Sequence, residues 1–237
     1  MLNRINGPSF INEPKVKIPR LKLVKKVAKR PPQWHRRPDA RRQEILDAAL
    51  AVFAEKGFYA AHMREIGKRA GITQGTTYLY FKSKEEIFQS LVQESIGPQL
   101  LQMEQLVHDY EGSTPDLIRL VMRAIIVFIM SSNRAILPKL IIGETGNFPE
   151  LARFYKTEVS DRVLDMFEGI VRRGVERGEF RDIDSKHGGR LVYQPIMFTA
   201  IWRASFGTLD SEPYDYEGLI ETHLDVVLRG FAADAKP

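Results

Sequence analysis

The 237-residue chain has no cysteine. That excludes a disulfide frame, a thiol nucleophile and a thiolate metal site. It has no apolar run near the roughly 18 residues that read as a membrane span. The richest stretch, Leu120 to Ile129, is broken by Arg123 and followed by Ser131, Asn133 and Arg134, as in a buried helix. Period-2 alternation is missing, so no strand is predicted, and no repeat of fixed period occurs. The five histidines (His35, His62, His108, His187 and His223) form no i, i+4 pair and no His-Glu-x-x-His. There is no glycine-rich phosphate loop and no G-x-S-x-G elbow. These gaps argue against an enzyme and give no reason to expect a metal or cofactor.

Hydrophobic residues make up 43% of the chain and charged residues 27%, a composition able to build a core. The charge is unevenly spread. Residues 1–38 hold 11 Lys and Arg against the single acid Glu13, a net +10, and the remainder carries −5. This asymmetry points to an anionic partner, nucleic acid or membrane surface. The arm lacks a 7–15-residue apolar segment and so does not read as a secretory signal. It reads either as a solvated tail (or upstream sequence from a misplaced start) or as an arm that grasps DNA. Arg30, Arg36 and Arg37 would then reach a neighbouring minor groove or phosphates.

From residue 39 onward the pattern is all-α. Ile45, Ala48, Ala49, Val52 and Phe53 form one buried stripe, which Gly57 ends. A short helix runs from Met63 to Ala70, and Gly71-Ile72 make a tight turn with an apolar plug. Thr73 caps a second short helix that ends at Phe81. Ser83 and Glu86 have the spacing of a capping box, opening a helix with Ile87, Phe88, Leu91 and Val92. Gly97-Pro98 should break it. Thr114-Pro115 reads as N-cap and N1 of the next helix. Leu151 to Gly174 reads as one long helix, and Asp184 caps another that is kinked at Pro195. The last helix carries Leu219, Leu224, Val227, Leu228 and Phe231.

Two short helices joined by a tight turn containing glycine have the form of a helix-turn-helix, here over 62–81. The second must enter a major groove about 12 Å wide, so the face it offers near its start must be small and polar. Gln74, Gly75, Thr76 and Thr77 fit: Gln74 can read adenine bidentately, and a threonine methyl can touch thymine. Tyr78 and Tyr80 can donate to phosphates, whereas Leu79 is expected to pack inward. Lys84, and Arg41 and Arg42 at the start of the first helix, add cations beside helix N-termini, which themselves attract phosphate.

Residues 41–91 resemble the DNA-binding domain of the TetR family of bacterial transcriptional regulators. The match rests on I-L-D-A-A-L-A-V-F-A-E-K-G-F (45–58) and M-R-E-I-G-K-R-A-G-I-T-Q-G-T-T-Y-L-Y-F-K-S-K-E-E-I-F (63–88). The resemblance implies a two-part, all-helical subunit with a helix-turn-helix domain at 39–91 and a ligand-binding and dimerisation domain at 92–231. It implies a cytoplasmic homodimer that binds palindromic double-stranded operators, represses, and is released when a small molecule shifts the fourth helix. A member that activates, or that answers to a protein, is an alternative, and a membrane-surface module a more distant one. Carried over by position, Gln74, Gly75 and Thr76 face bases, and Thr77, Tyr78, Tyr80 and Lys84 lie near phosphates. His62, Met63, Arg64 and Thr73 join this DNA-binding set. Two residues depart from the pattern. His62 stands where threonine is usual and makes a weaker N-cap, though it can also bond a phosphate. Gly67 replaces alanine at a cost of up to about 1 kcal/mol in helix propensity.

In the C-terminal part, Phe128, Ile136, Leu140, Phe154, Tyr155, Met166, Met197 and Trp202 suggest a mainly apolar pocket, with Glu144, Tyr155, Tyr193 and Arg203 as polar groups. The expected effector is apolar or aromatic. Trp202, Phe198 and Phe206 share one face of the helix at about 185–207. With the helix at about 216–231 it is expected to build the dimer.

The arm yields a prediction of its own. Deleting residues 1–37 should flatten the dependence of log affinity on log salt by about 0.9 for each phosphate that the arm neutralises, leaving base preference nearly intact. A salt titration of DNA binding checks this, and an unchanged slope removes the arm from the account.

Overall fold

The computed structural model describes residues 38–130, 136–144, 146–207, 209, 211–212 and 214–233. The basic arm, with Arg30, Arg36 and Arg37, lies outside them. The described residues are helical: α1 (Pro38–Ala60), α2 (Met63–Arg69), α3 (Gln74–Tyr80), α4 (Lys84–Ser95), α5 (Gly97–Asp109), α6 (Thr114–Met130), α7 (Ile136–Glu144), α8 (Pro149–Tyr155), a π-helical segment (Lys156–Asp161), α9 (Arg162–Glu176), α10 (Ser185–Phe206) and α11 (Tyr216–Phe231).

The stripe expected on α1 is buried, and Ile66 of α2 and Ile87, Phe88, Leu91 and Val92 of α4 pack on it. Gly57 adopts φ 77°, a left-handed conformation that costs glycine little, and it turns the chain out of the regular helix. Thr73 Oγ1 accepts from the Thr76 N–H at 3.2 Å, Ser83 Oγ from the Glu86 N–H at 3.2 Å, and Asp184 Oδ1 from the His187 N–H at 2.7 Å. Glu86 reaches back one residue further than a capping box requires, accepting from the Lys82 N–H.

Two boundaries differ from expectation. Ser113, not Thr114, caps α6: its Oγ accepts from the Asp116 N–H, and Thr114 lies inside the helix and fully buried. The helix expected over Leu151 to Gly174 is α8 and α9 joined by the π-helical segment. The wider turn brings residues five apart together, and Lys156 and Asp161 form an ion pair at 2.7 Å across it. Apolar periodicity does not register such an insertion, because the buried residues on both sides stay apolar.

α10 lies against α9 at close backbone range. A Cβ on Gly189 would fall 2.7 Å from the Glu168 nitrogen, so only glycine fits there. α11 is tied to α6 by Glu221, whose carboxylate accepts from Arg123 at 2.7 and 3.1 Å, with Arg119 3.8 Å away.

The hydrogen bonds from Arg123 hold the Glu221 carboxyl below its ordinary value of 4.5. The folded state therefore binds fewer protons than the unfolded one. The contribution of the pair is full above about pH 4.5 and is lost as the pH falls through the lower folded value. Since the pair is partly exposed, Glu221→Gln should cost at most about 1 kcal/mol at pH 7 and nearly nothing at the acid end. Chemical denaturation across about pH 3 to 7 checks this.

Candidate nucleic-acid interface and effector cavity

α2 and α3 approach each other closely at Gly67. Gly67 of α2 faces Thr77 of α3, and a Cβ on Gly67 would lie 2.6 Å from Thr77 Oγ1 and 3.3 Å from the Thr73 carbonyl oxygen. Thr77 is fully buried, and its hydroxyl donates to the Thr73 carbonyl at 3.2 Å. The glycine that weakens α2 as a helix thus lets α3 approach it. It also removes Thr77 from the expected DNA-contacting set, because its side chain points into the protein. Met63 is buried in the same core, which withdraws it as well.

The outward face of α3 carries Gln74, Gly75, Tyr78 and Leu79, with Thr73 exposed at the cap and Thr76 and Tyr80 half-buried. Leu79 is 83% exposed, contrary to the expectation that it packs inward, and Tyr78 is 47% exposed. The buried side of this short helix is filled by Thr77, Tyr80 and Phe81, so no inward position is left for Leu79. His62 is exposed and makes no side-chain cap to α2. Together with Arg64, Gln74, Tyr78 and Lys82 it lines an open cleft of about 580 Å³.

The cations are arranged differently from the sequence-based expectation. Lys84 Nζ donates to the carbonyl oxygens of Phe58 and Tyr59 at 2.8 Å and of Ala61 at 3.3 Å, so its three donors are used inside the protein. It also sits 4.8 Å from the centre of the Phe58 ring and 5.3 Å from that of Phe148. Arg42 bonds Glu94 at 2.9 Å and Ser90 at 2.8 Å and lies over Phe81, while Arg41 pairs with Glu44 at 2.7 Å. These three are anchored, and the proximity of their residue numbers to helix starts did not reveal it. Among the described residues Arg64 and Lys82 have no ion-pair partner on this face. Lys82 was missed because it falls in the linker rather than on a helix.

In the remainder of the chain a small cavity of about 80 Å³ opens between α5, α6, the π-helical segment and α10. Phe128, Tyr155, Met197 and Tyr193 line it, as does Val159 of the π-helical segment. Gln99, Met103 and Val163, which carry no distinctive sequence signal, complete much of the wall. Burial pushes the phenols of Tyr155 and Tyr193 far up, so both stay protonated donors.

Other residues expected in a pocket are elsewhere. Ile136, Leu140 and Met166 belong to the packed core, and Phe154 packs on its edge. Arg203 donates to the Ile129 carbonyl at 3.0 Å. Glu144 accepts from the Tyr59 N–H at 3.0 Å and from Asn147 at 3.1 Å, tying the end of α7 to the end of α1. Trp202 is 40% exposed and packs with its ring tilted against those of Phe198 and Phe206 along the outside of α10.

The contact between Gly67 and Thr77 can be tested. Gly67→Ala should destabilise the protein by about 1–3 kcal/mol through overpacking, despite the gain in helix propensity. Adding Thr77→Ala should recover part of the loss, as a coupled pair requires. Thermal melts of the four-protein cycle measure it, and a higher melting temperature for the alanine variant alone would refute the packing argument.

Comparison with known proteins agrees with this architecture. Residues 45–91 match the family model described as bacterial regulatory proteins, tetR family, and residues 116–233 match the AefR-like transcriptional repressor, C-terminal domain. The chain is 29% identical over 188 residues to the fatty acid metabolism regulator protein of Bacillus subtilis, covering 79% of this chain and 93% of that one. It is 27% identical over 195 residues to the transcriptional repressor KstR2 of Rhodococcus jostii, covering 81% and 92%. Among solved structures, that of FadR from Bacillus subtilis in complex with stearoyl-CoA superposes with a TM-score of 0.67 at 28% identity, over 80% of this chain and 98% of that one. With a helix-turn-helix at one end, a helical cavity-bearing bundle behind it and both parts matched, the chain belongs to the TetR family and is a DNA-binding repressor of that type, not an enzyme.

Proposed function

We propose that residues 39–91 bind a palindromic operator, that residues 92–231 dimerise and take up an effector, and that the effector carries an acyl chain. The observation that carries the effector reading is the cavity wall, which is apolar apart from Gln99 and two tyrosines. The similarity to a regulator seen with stearoyl-CoA supports this class of ligand.

At about 80 Å³ the cavity is well below the roughly 300–1,000 Å³ of sites for drug-sized ligands. Binding must therefore spread its walls, and these include α8, whose Phe148 cap touches the end of α1. That gives the ligand a differential interaction with two arrangements, which any release of DNA requires. Dimerisation is supported by the exposed Phe198, Trp202 and Phe206 on α10 and by Leu219 and Val226 on α11, large apolar groups that a second copy would cover. Among the described residues no helix is long and apolar enough to cross a membrane, so these faces are not a membrane span.

Selection of bound duplexes from a random pool, with the full chain at physiological salt, tests the operator reading. Enrichment of a palindrome with half-sites about one turn apart is expected. Gln74→Ala should relax preference at one position per half-site by about 1–3 kcal/mol. Uniform weakening across operator variants would show that Gln74 does not read a base. Failure to enrich any sequence would refute the operator reading as a whole.

A further inference from the structure

We propose that the cavity selects an acyl chain whose carbonyl lies in an uncharged linkage, such as a thioester, ester or amide, and rejects the free carboxylate. This deepens the acyl-effector reading and rests on it. The side chains of Tyr155 and Tyr193 are 5% and 9% exposed. Gln99 Oε1 is buried without a hydrogen-bond partner. All three line the same cavity. A buried polar atom left unsatisfied costs about 1–3 kcal/mol, so Gln99 Oε1, with two phenols on the same wall, marks where a polar part of a ligand belongs.

The chemistry of that part follows from what the wall offers. The two phenols donate, and the Gln99 oxygen accepts. An acyl carbonyl can take the phenolic hydrogen bonds, and an N–H or O–H beyond it can satisfy Gln99. A carboxylate could take the phenolic bonds too, but it would face the Gln99 oxygen and bring a charge with no counter-ion. Burying an unpaired charge costs far more than burying a paired polar group. No cation lines the cavity among the described residues. The basic residues adjacent in sequence to lining residues are engaged elsewhere. Lys139 donates to the Ala204 carbonyl at 2.8 Å, Lys156 pairs with Asp161 at 2.7 Å, and Arg162 pairs with Glu104 at 2.7 Å.

Calorimetric titration of the full chain tests this with four probes below their micelle concentrations: the decanoyl thioester of N-acetylcysteamine, decanoyl-CoA, decanoate and CoA alone. Both thioesters are expected to bind at least about tenfold more tightly than decanoate, and CoA alone not measurably. Tyr155→Phe, Tyr193→Phe and Gln99→Leu should each weaken the thioesters about fivefold or more, and Gln99→Leu should do so without weakening decanoate. Gln99→Arg should reverse the preference by supplying the missing cation. Decanoate binding as tightly as the thioesters, or thioester affinity indifferent to all three neutral variants, would overturn the proposal. Val163→Trp, which fills the cavity, separates this failure from that of the reading beneath it; where a melt shows that variant unfolded, Met197→Phe takes its place. If thioester binding survives the filled cavity, or if no acyl probe binds the unaltered chain, the cavity is not the effector site and both fall. If filling abolishes binding but the carboxylate is not disfavoured, only the selection for an uncharged linkage falls.

Discussion

The end of α1 and the start of α4 are held together by one ammonium group. Past Gly57 the chain leaves the regular helix, and the carbonyls of Phe58, Tyr59 and Ala61 converge on Lys84 Nζ. A lysine in the first turn of a helix is unfavourable for that helix, whose N-terminus is the positive end of its dipole. Here the same charge sits at the negative end of α1, where it is favourable. Its position is thus explained by its neighbour and not by α4 itself. Hydrogen bonds to a charged group are worth about 1.5–3 kcal/mol each, so the joint is among the stronger polar contacts available to the fold. With Phe58 stacked edge-on against Phe88 and Phe148, it sets the angle at which the helix-turn-helix meets the rest of the chain.

The same joint gives the proposed effector a mechanical connection to DNA. α8 is seven residues long, roughly 10 Å at 1.5 Å per residue. Its cap, Phe148, rests on Phe58 with ring centres 4.8 Å apart, and its last residue, Tyr155, lies in the cavity wall. Glu144 adds a second link by accepting from the Tyr59 N–H. Under the proposed reading, a ligand that separates the cavity walls cannot leave α8 where it is, and α8 cannot shift without disturbing the ring contacts around Lys84. The π-helical segment that follows Tyr155 departs from regular α-helical packing within the cavity wall. Such turns recur at functional sites because they re-aim side chains without ending a helix.

What the sequence made legible was whatever depends on local pattern. The stripe Ile45, Ala48, Ala49, Val52 and Phe53, the caps at Thr73, Ser83 and Asp184, and the helix-turn-helix at 62–81 all stand in the structure. The cavity was legible in kind more than in composition. Large apolar and aromatic side chains stand out in a sequence, so Phe128, Tyr155, Tyr193 and Met197 were legible, but Gln99 was not, because a lone glutamine on a helix reads as surface. Partners distant in sequence were not legible at all. Nothing near Lys84 reveals that its acceptors lie 23 to 26 residues earlier, and nothing near Arg42 points to Ser90 and Glu94. Trp202 could be placed on a helix face but not assigned to a cavity, a core or an exterior, since all three favour aromatic side chains.

The exposure of Leu79 follows from the same economy that buries Thr77. α3 has seven residues, too few to be stable alone, so it must be fixed by tertiary contacts. Those contacts are few: Thr77 against Gly67, Tyr80 and Phe81 in the core, and the cap at Thr73. Once these occupy the inner face, every remaining position points outward whatever its chemistry. An isolated exposed leucine is ordinary on a protein surface. This one stands beside Tyr78 and on the same short helix as Gln74, where α3 would meet a major groove carrying thymine methyl groups. Under the proposed operator reading, an apolar side chain there would gain a partner only when DNA is bound, and its burial would add to binding without adding to the stability of the free protein. A polar residue at the same place would be better solvated in the free state and would lose that solvation on docking. The small inner face of α3 and the mixed outer face are therefore two consequences of one constraint. A short helix must be held tightly by a few atoms if the rest of its surface is to be kept for another molecule.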